Sequence, residues 1–145
     1  TWACASTFNV MKKSLLIAVD FDGTVVEDRF PAVGKPMPFA IETLKMLQAD
    51  GHRLILWTYR HGKKLDEAVD FLKSQGVPPY AVNRSYPEEA SHPEDVSRKI
   101  QADLFIDDRN FGGFPGWGMI YQDLSGAKKP PKSGSKGLWD HLCGR

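Results

Sequence analysis

Leu15-Leu16-Ile17-Ala18-Val19-Asp20-Phe21-Asp22-Gly23-Thr24 is a run of five apolar residues that passes directly into two acids one residue apart. A short continuous apolar run is how a strand buried on both faces reads. Open α/β sheets bind ligands just outside the carboxyl ends of their strands, which is where Asp20 and Asp22 fall. Two carboxylates this close repel each other unless a cation joins them. The stretch therefore predicts a buried strand with a charged site at its end.

The same alternation continues downstream. Residues 39–50 carry Ile41, Leu44 and Leu47 on one helical face and stop at Gly51. Residues 53–58 (RLILWT) read as a second buried strand that ends in Thr58. Residues 63–75 place Leu65, Ala68, Val69 and Leu72 at i, i+3, i+4 and i+7, and Gly76 ends the pattern. A short third strand is expected at 80–83, a short helix at 95–101, a fourth strand at 103–107 and a fifth at 118–121. Pro31, Gly34, Pro36 and Pro38 make 27–38 a loop or short hairpin, and Pro87 and Pro93 mark 84–94 as a loop. Strands alternating with helices predict an α/β fold: a three-layer α/β/α sandwich around a Rossmann-like, mostly parallel sheet of five strands.

At 145 residues, 41% hydrophobic and 26% charged, the chain suits one soluble domain. That domain is expected at 14–124, after a leader or extension at 1–13. A flexible basic tail follows at 125–145, where Lys128, Lys129, Lys132 and Lys136 alternate with Gly, Pro and Ser. Cys4 and Cys143 lie near opposite ends and form neither a disulfide framework nor a metal spacing, which fits a reducing cytoplasm. No apolar run reaches the ~18 residues of a membrane span. A net charge of +1 gives no strong pull toward nucleic acid, although a local basic face leaves such contact open.

Polar residues close the expected strands in several places. Asp20 and Asp22 end the first, Thr58 the second, and Asp107 and Asp108 the fourth, with Lys99 a few residues ahead of it. In a parallel sheet these groups converge on one edge. An all-oxygen set without His or Cys favours a hard cation, Mg²⁺ before others, and Mg²⁺ commonly shares its ligands with a substrate phosphate. One aspartate can then attack phosphorus to form an aspartyl-phosphate. Another can protonate the leaving oxygen and later activate water. A lysine and a hydroxyl would hold the phosphoryl oxygens. Arg60, just past Thr58, carries a guanidinium suited to phosphate, as does Arg109 just past Asp108; Arg109 could equally pair with a neighbouring acid.

These residues resemble the four motifs of the haloacid dehalogenase superfamily of phosphohydrolases, in order. Val19-Asp20-Phe21-Asp22-Gly23-Thr24 matches the first and Leu54-Ile55-Leu56-Trp57-Thr58 the second. Lys99 best matches the third, and Leu104-Phe105-Ile106-Asp107-Asp108 the fourth. The resemblance implies that Asp20 is the nucleophile and Asp22 the general acid/base. It implies that Thr58 and Lys99 bind and activate the phosphoryl group; Arg60 is expected as a substrate contact from its own position past Thr58. Mg²⁺ would be held by Asp20, by Asp22 through its main-chain carbonyl, and by Asp107 or Asp108. The acid at Asp22 implies phosphoester hydrolysis, so the expected activity is a Mg²⁺-dependent phosphatase. The short spans between motifs leave no room for a cap domain. An open site suits a phosphate presented on a large molecule, or a site covered by a second subunit; the expected partner is a phosphorylated substrate, either a small molecule or a phosphate on a larger one. Ile106-Asp107-Asp108-Arg109 is also similar to nucleotide and polynucleotide-end phosphatases of the superfamily. The competing expectation is a weakly active binding or regulatory protein on the same fold.

Overall fold

The structure is a computed structural model that describes residues 13–90, 92 and 94–126. The expected leader apart from Lys13, both cysteines, and the basic tail beyond Gly126 lie outside the described residues. The elements are β1 (Leu16–Val19), α1 (Ala40–Ala49), β2 (Arg53–Leu56), α2 (Gly62–Ser74), β3 (Ala81–Val82), β4 (Leu104–Ile106) and α3 (Trp117–Ser125). The strands form one parallel sheet in the order β3-β2-β1-β4. One compact unit runs to Phe114 and contains the sheet, α1 and α2; a second begins at Pro115 and contains α3.

The strand sequences explain the layering of the first unit. Register sets Ile17 beside Leu54 and Val19 beside Leu56, so these four share a face. Leu44 of α1 and Leu72 of α2 close on that face around a gap of about 10 Å³ beside Val19, Leu54 and Leu56. That is room for one water at most. On the opposite face Ala18, Ile55 and Ala81 pack with Ile100, and Trp57 and Tyr80 lie against them.

The connections follow from handedness. The steps β1→β2 and β2→β3 run the same way across the sheet, so right-handed crossovers put α1 and α2 on one face. The return from β3 to β4 must cross the other face. The expected helix at 95–101 is not formed there; the described residues of that passage are turns and bends. Their side chains satisfy the backbone locally instead. The Lys99 N–H donates to the Ser97 hydroxyl at 3.1 Å and the Gln101 N–H to the Ser85 hydroxyl at 3.1 Å, bonds that compete with a helix. The expected second helical layer is therefore not part of this unit, where Ile100 and its neighbours cover the face.

The expected fifth strand is also corrected: residues 118–121 lie inside α3. Trp117 and Ile120 are its buried residues, three apart on one helical face, and Gly126 in the left-handed region ends the helix. The sheet has four strands among the described residues, consistent with a Rossmann-like parallel α/β arrangement. Among the described residues no helix is long and apolar enough to cross a membrane.

Candidate active site

In the order β3-β2-β1-β4 the chain moves one way from β1 and later returns to its other side, which makes the carboxyl ends of β1 and β4 the switch point of the sheet. Asp20 follows β1, and Asp107 and Asp108 follow β4. The Asp20 N–H donates to the Ile106 carbonyl at 2.9 Å, extending the ladder to the first acid. One carboxylate oxygen from each of Asp20, Asp107 and Asp108 lies within 4.8 Å of the others. Three hard oxygen donors at this spacing fit a hard divalent cation.

The turn after β1 locks this cluster. The Phe21 carbonyl accepts from the Val25 and Val26 N–H groups at 2.9 and 3.1 Å, folding residues 21–26 back on themselves. Gly23 takes φ +86°, and a side chain there would bring its Cβ to 2.7 Å from Asp108 Oδ2. Thr24 is fully buried beneath the acids. Its hydroxyl accepts from the Asp108 N–H at 3.0 Å, and its proton reaches Asp20 Oδ2 at 3.1 Å and Asp108 Oδ1 at 3.2 Å. Thr24 thus joins both strand ends, a role the sequence reading did not assign.

Burial lifts the Asp20 carboxyl from its ordinary 3.8 to about 6. The charges of Asp107 and Asp108 add to the rise, while the Phe21 N–H and the Thr24 hydroxyl oppose it.

Asp22 stands apart from the three-acid cluster. Arg60 Nε and Nη2 donate to its two oxygens, each at 2.7 Å. The same guanidinium donates to the Pro31 carbonyl at 3.1 Å and the Ala32 carbonyl at 2.7 Å. Its centre lies 5.2 Å from the Phe21 ring and 5.3 Å from the Phe30 ring. Arg60 is only 2% exposed, and its hydrogen bond with Asp22 raises its already high pKa. An arginine expected to reach for substrate is instead committed to Asp22 and to the loop at 30–32.

Thr58 follows β2 and borders the same cleft as Asp20, Asp22 and Asp107, a space of about 590 Å³. Its N–H donates to Asn83 Oδ1 at 2.8 Å, and its hydroxyl accepts from the Arg60 N–H at 3.2 Å. Asn83 holds a left-handed backbone (φ 51°), which asparagine tolerates better than most residues. Phe30, Trp57, Tyr59, Asp28 and Arg109 complete the cleft walls. Arg109 lies 3.9 Å from Asp28, a loose and exposed pair. Lys99 is exposed and is not among the residues bordering the cleft.

The chain matches no family model and no curated protein. It is similar to a solved structure of a conserved protein coded by a locus of Bacteroides thetaiotaomicron. The two are 53% identical over 81% of this chain and 94% of that one, with a TM-score of 0.74.

Proposed function

We propose that this chain, which belongs to the same family as that conserved Bacteroides thetaiotaomicron protein, is a Mg²⁺-dependent phosphomonoester hydrolase of the haloacid dehalogenase superfamily. One observation carries the reading. Asp20, Asp107 and Asp108 gather at the switch point of a parallel sheet while a further acid, Asp22, borders the same cleft.

In this reading Asp20 attacks phosphorus and the P–O bond to the leaving group breaks, leaving an aspartyl-phosphate. Asp22, once it leaves Arg60 and takes a proton from solvent, gives that proton to the leaving oxygen and later takes one from the water that cleaves the acyl phosphate. Both Asp22 oxygens accept from Arg60, so proton transfer requires Asp22 to turn partly out of that fork. Thr58 and Arg109 border the cleft and would meet the phosphoryl oxygens, whereas Lys99 would have to approach from outside it. Mg²⁺ held by Asp20 and the Asp107–Asp108 pair would offset their mutual repulsion and polarise the phosphoryl group.

The test is phosphate release from p-nitrophenyl phosphate with Mg²⁺, repeated with EDTA and with Asp20→Asn. Release should vanish in both controls. Undiminished turnover by Asp20→Asn, or turnover indifferent to EDTA, refutes the mechanism.

A further inference from the structure

We infer that the cleft takes a phosphomonoester whose leaving group carries a flat aromatic ring, seated among Phe30, Trp57 and Tyr59. The inference rests on the phosphatase reading and names its substrate class.

Single exposed aromatics are ordinary on protein surfaces. Here Tyr59 is 96% exposed and Phe30 57% exposed, and both border one cleft with Trp57 and the Asp20 carboxylate. Two of the three rings have packing partners of their own. Phe30 has the Arg60 guanidinium 5.3 Å from its ring, and the next two carbonyls are bonded to the same arginine. Trp57 leans on the cluster of Ala18, Ile55, Ala81 and Ile100. Rings already fixed lose little freedom when a ligand stacks on them, which favours binding. Tyr59, two residues further on, is exposed and available as an additional wall.

Size and charge narrow the class. About 590 Å³ falls within the range of small-molecule sites. Asp20, Asp22, Asp28 and Asp107 border the cleft against Arg60 and Arg109, and Arg60 is engaged by Asp22. Among the described residues that balance repels a polyanion and offers no basic track along the cleft for a nucleic-acid backbone. A single phosphate on an uncharged ring-bearing group meets both the acids, once a cation is present, and the aromatic walls.

The test compares esters matched in their leaving oxygen, with Mg²⁺ present. Adenosine 5′-monophosphate is set against ribose 5-phosphate, and benzyl phosphate against ethyl phosphate. Stacking of one ring is worth about 5- to 150-fold. In at least one pair the ring-bearing ester should have about tenfold higher kcat/KM, mainly through KM. Preference in the first pair alone identifies a nucleobase, and in the second alone a simple aryl group. Tyr59→Ala should lower the preference severalfold, and a residue so exposed is not needed for folding. A ratio near one in both pairs overturns the inference and leaves the phosphatase reading standing. So does a ratio near one in which Tyr59→Ala instead dissociates a dimer in sedimentation, since the rings would then face a second copy. No turnover of any ester overturns the phosphatase reading and this inference with it.

Discussion

Replacing Arg60 with Met removes a guanidinium that two elements share. The change deletes both 2.7 Å bonds to Asp22 and the bonds to the Pro31 and Ala32 carbonyls. It also removes the cation from between the Phe21 and Phe30 rings. Breaking one half of a buried ion pair costs about 3–5 kcal/mol, mostly because the other charge is left unpaired. The Asp22 side chain keeps 17% exposure, so water can reach the orphaned carboxylate. Pro31 and Ala32 are exposed, so their carbonyls can also turn to water. The lower end, about 3 kcal/mol, is therefore expected. Urea unfolding of Arg60→Met should move the midpoint down by roughly 2 M, given a slope of about 1.5 kcal/mol per M for a domain of this size. Asp22→Asn/Arg60→Met should recover about 1–3 kcal/mol relative to the sum of the single changes, because the orphaned charge is gone. Arg60→Lys keeps a charge but not the two-pronged geometry, and should recover less than half of the loss. A midpoint for Arg60→Met within about 0.5 M of the parent, or strictly additive single effects, would refute the role assigned to the pair.

Asp20 gives a prediction of opposite sign. Its carboxyl holds a proton up to about pH 6 in the folded chain against an ordinary 3.8, so between these values the unfolded chain ionises first and folding stability falls as pH rises. In metal-free buffer Asp20→Asn should be more stable than the parent at pH 7.5. The advantage should be about 1–2 kcal/mol after allowance for solvent, and should shrink toward zero near pH 4 in paired urea titrations. An advantage that does not change with pH rules out this origin. Gly23→Ala should destabilise by about 1–2 kcal/mol for its left-handed backbone, and its Cβ at 2.7 Å from Asp108 Oδ2 should displace that acid. Thermal melts should show a smaller rise in Tm on adding Mg²⁺ than the parent shows; an equal rise means that Asp108 was not disturbed.

What the sequence made legible followed from long-range burial. The runs before Asp20 and Thr58 read as interior strands because nothing polar interrupts them until the acid or hydroxyl arrives and helical patterns ending in glycine separate them. Alternation with helices then brought Asp20, Asp107 and Asp108 toward one edge. Residues 118–121 misled because four residues in isolation do not separate a strand from a turn of helix; the wider spacing of Trp117 and Ile120 does. The segment 95–101 misled because helix-compatible residues were outcompeted by Ser85 and Ser97 accepting the backbone N–H groups. Arg60 is expected as a substrate contact because a guanidinium suits phosphate, but the structure commits it to Asp22. The partner was in view at Asp22, and the rings at Phe21 and Phe30 were the remaining signal.

The hydrogen bond from the Asp20 N–H to the Ile106 carbonyl ties the first acid to the backbone of the strand that delivers the other two. The spacing of the three carboxylates is thus set largely by sheet geometry and by buried Thr24, and little by the surrounding loops. Loops at 28–34 and 109–114 could be exchanged or lengthened without retuning the distances among the acids, whereas residues 35–37 pair with the turn that holds them. A lineage built on this frame can therefore drift in what its cleft admits while the three acids keep their spacing.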